Sequence, residues 1–171
     1  MGHMIRCARY LILTILLGAG LALNLACGPY SLSGSALKGI KNIAIPLFDN
    51  QTTQYGIREQ LTGQLTDAFV ADNTLKVVNI RRADSALRGV VTKYQRECYT
   101  FDAAGNCNEY VSRIFVDVTF EDLKKKEALW EGKDIEGDGI YSATDETEDD
   151  GIKRAIDKIS IEIIDKVIKG W

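Results

Sequence analysis

A strict alternation of apolar and polar side chains in the middle of the chain restricts the folds open to it most strongly. Side chains in a β-strand point to opposite faces in turn, so this pattern predicts a strand with one buried and one wetter face. The buried face would carry Ile114, Val116, Val118 and Phe120, and the wetter face Phe115, Asp117, Thr119 and Glu121.

This strand is predicted to be one arm of a long antiparallel hairpin. The arms extend over Leu87–Tyr99 and Tyr110–Leu123, on either side of Asp102-Ala103-Ala104-Gly105. Asp at the first position and Gly at the last are typical of a type I turn. Shorter apolar runs predict further strands at Lys41–Phe48, Leu75–Ile80 and Ala128–Trp130, with Pro46 at an edge position or at a strand end.

Two amphipathic helices are predicted, at about Tyr55–Asn73 and about Thr147–Ile168. Asn73 suits a left-handed helix end. The pairs Asp149–Lys153, Asp150–Arg154 and Glu162–Lys166 suit an outer helix face. The apolar stripes consist of Ile57, Leu61, Leu65, Ala68 and Phe69 in the first helix and of Ile152, Ala155, Ile156, Ile159, Ile163 and Val167 in the second.

These elements together predict one α+β domain, built as a two-layer sandwich. Both helices must bury their stripes, so we expect them on one face of a mixed or antiparallel sheet of about four to five strands. The acidic, glycine-containing segment Ile135–Asp150 is predicted to be a loop.

The N-terminus has the features of an export signal. Arg6 and Arg9 precede an apolar run from Tyr10 to Ala26, and Cys27 follows directly. A cysteine after a small residue is typical of a lipoprotein, in which the cysteine thiol is acylated. The sequence therefore predicts a signal peptide at 1–26, a lipidated Gly/Ser-rich tether at 27–40 and the folded domain at 41–171.

An uncleaved signal anchor is the alternative interpretation of the N-terminus. Asn24 stands where a lipobox usually has Leu, and the apolar run of 17 residues is at the lower limit for a membrane span. Whether residues 1–3 are native is left open, because Met4 is a natural start.

Composition argues against several functions. The chain has 21 Lys and Arg against 24 Asp and Glu, so non-specific binding to nucleic acid is not expected. Its one histidine, His3, lies before the apolar run of the signal peptide, which leaves no histidine base or metal ligand in the mature domain. We predict no enzyme activity and no cofactor. After cleavage the net charge would be −5, from which we expect no attraction of the domain to an anionic membrane.

Three local patterns each have a structural and a functional interpretation. Acids and a glycine from Asp134 to Asp145 imitate a calcium loop imperfectly, and a solvated acidic loop is the favoured interpretation. Cys98 and Cys107 flank the hairpin turn and predict a disulfide in the oxidising periplasm, with two free thiols as the alternative. The turn Lys124-Lys125-Lys126 is either a solubilising tip or, less favoured, a contact for phosphate groups.

Several segments, in order and spacing, together resemble the lipopolysaccharide-assembly lipoprotein family LptE. The similarity covers nearly the whole mature chain, although Pro29 departs from the usual start of the family. The segments are Cys27–Gly34, Ile43–Thr53, Leu61-Thr62, Ala83–Gly89, Val116–Leu123 and Leu129–Glu131.

The resemblance implies a place and a partner. The domain would sit at the periplasmic face of the outer membrane, plug the lumen of the LptD β-barrel, help that barrel assemble and help pass lipopolysaccharide to the cell surface. The phosphates that Lys124, Lys125 and Lys126 could contact would then be those of lipopolysaccharide. An outer-membrane lipoprotein that regulates peptidoglycan synthases is the alternative, since a small tethered α+β domain would serve either role.

Overall fold

The structure, a computed structural model, describes Leu37 and residues 39–170. In these residues six strands and two long helices follow one another along the chain. A short 3₁₀ turn, Ile80–Arg82, precedes the fourth strand. The elements are β1 (Asn42–Ala44), β2 (Asp49–Asn50), α1 (Ile57–Asp72), β3 (Lys76–Val77), β4 (Ser85–Phe101), β5 (Cys107–Asp122), β6 (Glu127–Ser142) and α2 (Glu148–Lys169).

The strands form one mixed sheet in the order β3-β1-β4-β5-β6, and β2 also pairs with β4. The three long strands β4, β5 and β6 are antiparallel to one another. The short strands β1 and β2 run parallel to β4, and β3 runs parallel to β1. The two helices pack on one face of this sheet, so the predicted α+β sandwich is confirmed.

The predicted strand Lys41–Phe48 is interrupted in the structure. Only Asn42–Ala44 is strand, and the chain rejoins β4 at Asp49–Asn50. Pro46 lies in the gap, where its missing N–H cannot take part in a β-ladder. Phe48 turns into the core and packs over Gly89, where a Cβ atom would overlap the Phe48 ring.

The prediction of a loop over Ile135–Asp150 is wrong for its first half. β6 continues to Ser142, because Gly137 and Gly139 face α2 and let the helix backbone approach the strand. A Cβ atom at Gly137 would overlap the Ala155 carbonyl, and one at Gly139 would overlap the Gly151 carbonyl. Glycine in this strand therefore indicates the close approach of a helix backbone and not a loop.

The core lies between the helices and the sheet. Every residue of the predicted α2 stripe is buried, as are Ile57, Leu61, Leu65 and Phe69 of α1. The predicted buried face of β5 is also confirmed, since Ile114, Val116, Val118 and Phe120 are at most 2% exposed. Ile40 is buried as well, so the folded body already includes the end of the predicted tether.

The helix ends follow the expected local rules. Asn73 adopts the left-handed conformation (φ 59°) and donates its N–H to the Phe69 carbonyl at 3.1 Å, which confirms the predicted end of α1. α2 begins with a capping box between Thr147 and Asp150.

One of the three predicted acid–base pairs of α2 forms: Lys153 lies 2.7 Å from Asp149. Asp150 instead caps the helix and Arg154 pairs with Glu146. The ion pairs of the described residues do not include Glu162–Lys166. Neither helix described is long and apolar enough to cross a membrane.

Candidate interaction site

The sheet face turned away from the helices carries an ion-pair network across the three long strands. Arg113 of β5 donates to Glu97 of β4 at 2.5 Å, and its Nε lies 3.5 Å from Glu136 of β6. Farther along, Arg88 donates to Glu121 at 2.7 Å. Because these side chains are partly exposed, the pairs add little stability, but they give the face a fixed pattern of charge.

Phe115 lies in the middle of this polar face. It is half-buried, and Lys93 Nζ sits 5.1 Å from the centre of its ring, a cation–π geometry. Asp117, Thr119 and Glu121 are likewise only partly exposed. The prediction of a wetter face on β5 is therefore confirmed.

The lysine turn lies between β5 and β6 and is held by neighbouring carboxylates. Lys124 Nζ lies 2.5 Å from Asp84 Oδ1, and Lys125 Nζ lies 3.3 Å from Glu127 Oε1. The Asp122 carboxylate accepts the backbone N–H groups of Lys124 and Lys125. Two of the three ammonium groups thus already have an anionic partner, and Lys126 forms no ion pair with any described residue.

Asp84 joins this turn to the start of β1. Its Oδ2 accepts the backbone N–H groups of Lys41 and Asn42 at 3.2 and 3.1 Å. Its hydrogen bond from Lys124 is the main factor that lowers the Asp84 pKa to about 2, and the backbone N–H of Lys41 lowers it further. Asp84 is therefore charged at neutral pH and fixes the lysine turn beside the point where the chain enters the sheet.

The far end of the hairpin carries a disulfide and two exposed aromatic residues. The structure pairs Cys98 with Cys107, with their Cα atoms 5.7 Å apart. The turn beyond is closed by Asp102, whose carboxylate accepts the N–H groups of Ala104 and Asn106. Tyr99 and Phe101 are more than half exposed. Whether the bridge forms in the exported protein stays a prediction.

A cluster that the sequence did not reveal ties the hairpin to the beginning of α2. The Arg96 guanidinium lies 3.7 Å from the centre of the Tyr110 ring, and Arg96 also contacts Tyr141 and Glu148. The Tyr94 hydroxyl donates to Glu148 at 2.6 Å, and burial together with this bond raises the Tyr94 pKa. The five residues come from four separate elements, so no sequence spacing could have indicated the cluster.

The segment that imitates a calcium loop does not form one. Its residues from Asp134 to Ser142 lie along β6, so their side chains alternate between two faces and cannot converge on one ion. In the part of the chain that the structure describes, no three His, Cys, Asp or Glu side chains are grouped as metal ligands. Cys27, the predicted acylation site, lies outside the described residues.

Two surface grooves border α1. One of about 570 Å³ is lined by the loop between β2 and α1 and by the first turn of that helix, including Tyr55 and Arg58. The other, of about 470 Å³, lies between the helices and is lined largely by polar residues, including Gln60, Gln64 and Asp157. Neither brings together a nucleophile and a base of the kind that enzymes use.

Solved structures with a similar fold share little sequence with this chain. A predicted lipoprotein from Caulobacter crescentus CB15 has a TM-score of 0.51 at 19% identity, over 71% of this chain and 88% of its own. PelC from Paraburkholderia phytofirmans, solved as a dodecamer, has a TM-score of 0.51 at 15% identity, over 79% and 94%. Protein XCC0632 from Xanthomonas campestris has a TM-score of 0.54 at 10% identity, over 76% and 85%. These likenesses concern the fold alone.

A search of curated protein sequences finds no match. Fold and surface together define the class: a small α+β domain with two helices on one sheet face and a polar ion-pair network on the other. Residues 40–168 match the family described as "LptE: Lipopolysaccharide-assembly". Because this match spans more than half of the chain, the protein belongs to the LptE family.

Proposed function

We propose that this protein is an outer-membrane lipoprotein that partners the LptD β-barrel in the assembly and export of lipopolysaccharide. The family match over residues 40–168 is the observation that carries the proposal. The role is structural: the domain would occupy the barrel lumen, help the barrel to assemble and assist the passage of lipopolysaccharide.

The two sheet faces fit such a role differently. The apolar stripes of both helices are buried in the core, whereas the sheet face turned away from the helices is polar and rich in ion pairs. The interiors of outer-membrane barrels are polar. The face that carries Arg113 and Phe115 is therefore the surface that we assign to the barrel wall.

The proposed anchor is the acylated thiol of Cys27. Several acyl chains on one residue hold a protein on a bilayer far more firmly than a single chain. Metabolic labelling with a fatty-acid analogue should mark the wild-type chain, and Cys27→Ala should abolish the label. Label that survives this substitution would place the acylation elsewhere.

Copurification tests the partner. The tagged full-length protein is extracted from membranes in mild detergent, and the proteins that copurify are identified by mass spectrometry. We expect a large outer-membrane β-barrel of the LptD type. Recovery of a penicillin-binding protein without any barrel would favour regulation of peptidoglycan synthesis and would refute the proposal.

Contact between the lysine turn and lipopolysaccharide phosphates is a separate and weaker part of the proposal. Lys124 and Lys125 each have a carboxylate partner, so a phosphate would have to compete with Asp84 and Glu127. Replacement of Lys125 and Lys126 by Gln should weaken lipopolysaccharide binding without unfolding, since an exposed turn carries little packing energy. Unchanged binding would remove the turn from the lipopolysaccharide path.

A further inference from the structure

Basic residues gather at one end of the domain, around Asp84. The Asp84 carboxylate accepts hydrogen bonds from the backbone N–H of Lys41 and from the ammonium group of Lys124. The backbone N–H of Lys76 donates to the Lys41 carbonyl at 2.9 Å. The 3₁₀ turn lies directly before Asp84 in the chain. We call this surface the tether end, and it comprises Lys41, Lys76, Arg81, Arg82, Lys124, Lys125 and Lys126.

The tether end has a strong local excess of positive charge. All seven basic residues of the tether end are exposed. The carboxylates in the same region are Asp72, Asp84, Asp122 and Glu127, of which Asp84 and Asp122 are turned inward and bound by backbone N–H groups. The charge that faces solvent is therefore mainly cationic, although the whole chain has a net charge of −3.

The opposite end of the domain is acidic. The hairpin tip, residues 97–109, and the segment 142–150 before and into α2 meet there, since the Ala143 N–H donates to the Asn108 carbonyl at 3.0 Å. These two segments contain eight Asp and Glu and no Lys or Arg. Four of the eight carboxylates pair with basic residues outside the segments: Glu97 with Arg113, Glu146 with Arg154, Glu148 with Arg96 and Asp149 with Lys153. The other four carboxylates leave this end acidic. β4, with 17 residues, separates the two ends by roughly 50 Å at the usual rise of a strand.

The described part of the domain begins at the basic end. Residues 39–41 lead directly into β1, beside Asp84, at the tether end. Ile80, next to Arg81 and Arg82 in the 3₁₀ turn, is 40% exposed. An apolar side chain among cations is a combination that favours binding at an anionic membrane surface.

We propose that the tether end docks on the anionic phospholipid headgroups of the membrane in which the chain is anchored, beside the barrel that the rest of the domain would occupy. The inference rests on the proposed function only in so far as Cys27 carries the anchor. The net charge of the mature chain predicts no attraction to an anionic membrane. The basic and acidic groups, however, lie at opposite ends of the domain. Because physiological salt screens charges over about 8 Å, each end interacts with its surroundings independently of the other.

Amine footprinting of the full-length protein extracted from membranes tests this docking. The protein is placed in vesicles of phosphatidylcholine alone or of phosphatidylcholine with phosphatidylglycerol, labelled with a water-soluble amine reagent and analysed by mass spectrometry. In the vesicles that contain phosphatidylglycerol, labelling of Lys41, Lys76 and Lys124–Lys126 should fall roughly three- to tenfold, as expected for cations near an anionic surface. Lys153 and Lys158, on the exposed side of α2, serve as internal controls and should not change.

Salt and substitutions sharpen the test. High salt should restore labelling, and Lys125→Gln with Lys126→Gln should reduce the protection of Lys41 and Lys76, while the matched pair Lys153→Gln and Lys158→Gln should not. Equal labelling of the lysines at the tether end in both kinds of vesicle overturns the proposal. Protection by lipopolysaccharide micelles but not by phosphatidylglycerol would also overturn it.

Failure of the anchor gives a different result. A chain without a lipid anchor would not float with vesicles of phosphatidylcholine alone, whereas an anchored chain floats with both kinds of vesicle. Flotation with both and no difference in footprint would refute the docking surface and leave the proposed anchor intact. Flotation only with the anionic vesicles would refute the anchor and support the docking surface.

Discussion

At the scale of single residues, Asp84 connects more parts of the molecule than any motif in the sequence suggests. Its carboxylate receives hydrogen bonds from Lys41, Asn42 and Lys124, while its N–H donates to the Asn42 carbonyl. One side chain thus fixes β1, the start of β4 and the lysine turn. These contacts favour the charged form and explain why its pKa falls to about 2.

This pKa predicts a loss of stability in acid. A carboxyl group with a lowered pKa in the folded state stabilises the fold above its ordinary pKa of 3.8, and this contribution disappears as the pH falls toward about 2. In urea titrations from pH 5 to about pH 2, Asp84→Asn should therefore lose less stability than the wild type. Identical pH profiles would show that Asp84 is not held in its charged form.

Gly139 is a second single residue on which the packing of the fold depends. Its hydrogen faces the Gly151 carbonyl of α2, and a methyl group there would overlap backbone. Gly139→Ala should lower the free energy of unfolding by about 1–3 kcal/mol, the usual cost of overpacking. Gly63→Ala is the control: it points into open space on α1 and should stabilise by roughly 0.5–1 kcal/mol. Chemical denaturation measures both, and an unaffected Gly139→Ala would contradict the tight contact.

At the scale of elements, the helices, the hairpin and the positions of β1 and β3 were predictable, whereas the interruption of the first strand and the length of β6 were not. The stripes of both helices and the alternation in β5 are strong periodic signals, and the structure buries the expected residues. The sequence pattern does not predict the extension of β6, because Gly137 and Gly139 in an acidic segment are typical of a loop. The two glycines allow α2 to pack closely on β6, and this contact cannot be predicted from the local pattern because α2 comes later in the sequence.

The candidate site was predictable to a smaller extent. The wetter face of β5 and the lysine turn follow from local pattern, but their ion-pair partners do not. Lys124 is paired with Asp84, 40 residues earlier in the chain, and Arg96 meets Glu148 only after the hairpin and α2 have packed together. Long-range pairing of this kind is set by the fold.

The burial of α2 gives a direct test of its packing. Ile156 is 2% exposed within the core, so Ile156→Ala should lower the free energy of unfolding by about 2–5 kcal/mol. Ile161, on the same helix, is 70% exposed, and Ile161→Ala should change stability by no more than about 0.5 kcal/mol. Equal effects in thermal or urea unfolding would mean that the core face of α2 is misplaced.

The bridge at the tip should stabilise the hairpin as an element. Cys98 and Cys107 are nine residues apart, and closing so short a loop contributes about 2–3 kcal/mol in the chain-entropy model. Peptide mapping without reductant, on protein recovered from the periplasm, should yield the linked pair. Two thiols that react freely with an alkylating reagent would show that no bridge forms.

At the scale of the whole molecule, the domain presents three surfaces of different chemistry. One end is basic and lies where β1 begins, the other end is acidic, and the sheet face between them is polar. The apolar surface of the helices is largely buried in the core. In our proposals the basic end faces the membrane and the sheet face contacts the barrel, so the two contacts do not compete for the same residues.

Site-specific photo-crosslinking in cells tests the central proposal, partnership with the barrel, most directly. A photoreactive amino acid at Phe115, in the middle of the polar sheet face, should capture a large outer-membrane β-barrel of the LptD type. The same amino acid at Ile161, exposed on α2 on the opposite side of the domain, should capture none. Capture of the barrel from Ile161 but not from Phe115 would contradict the assigned face, and capture from neither position would contradict the partnership.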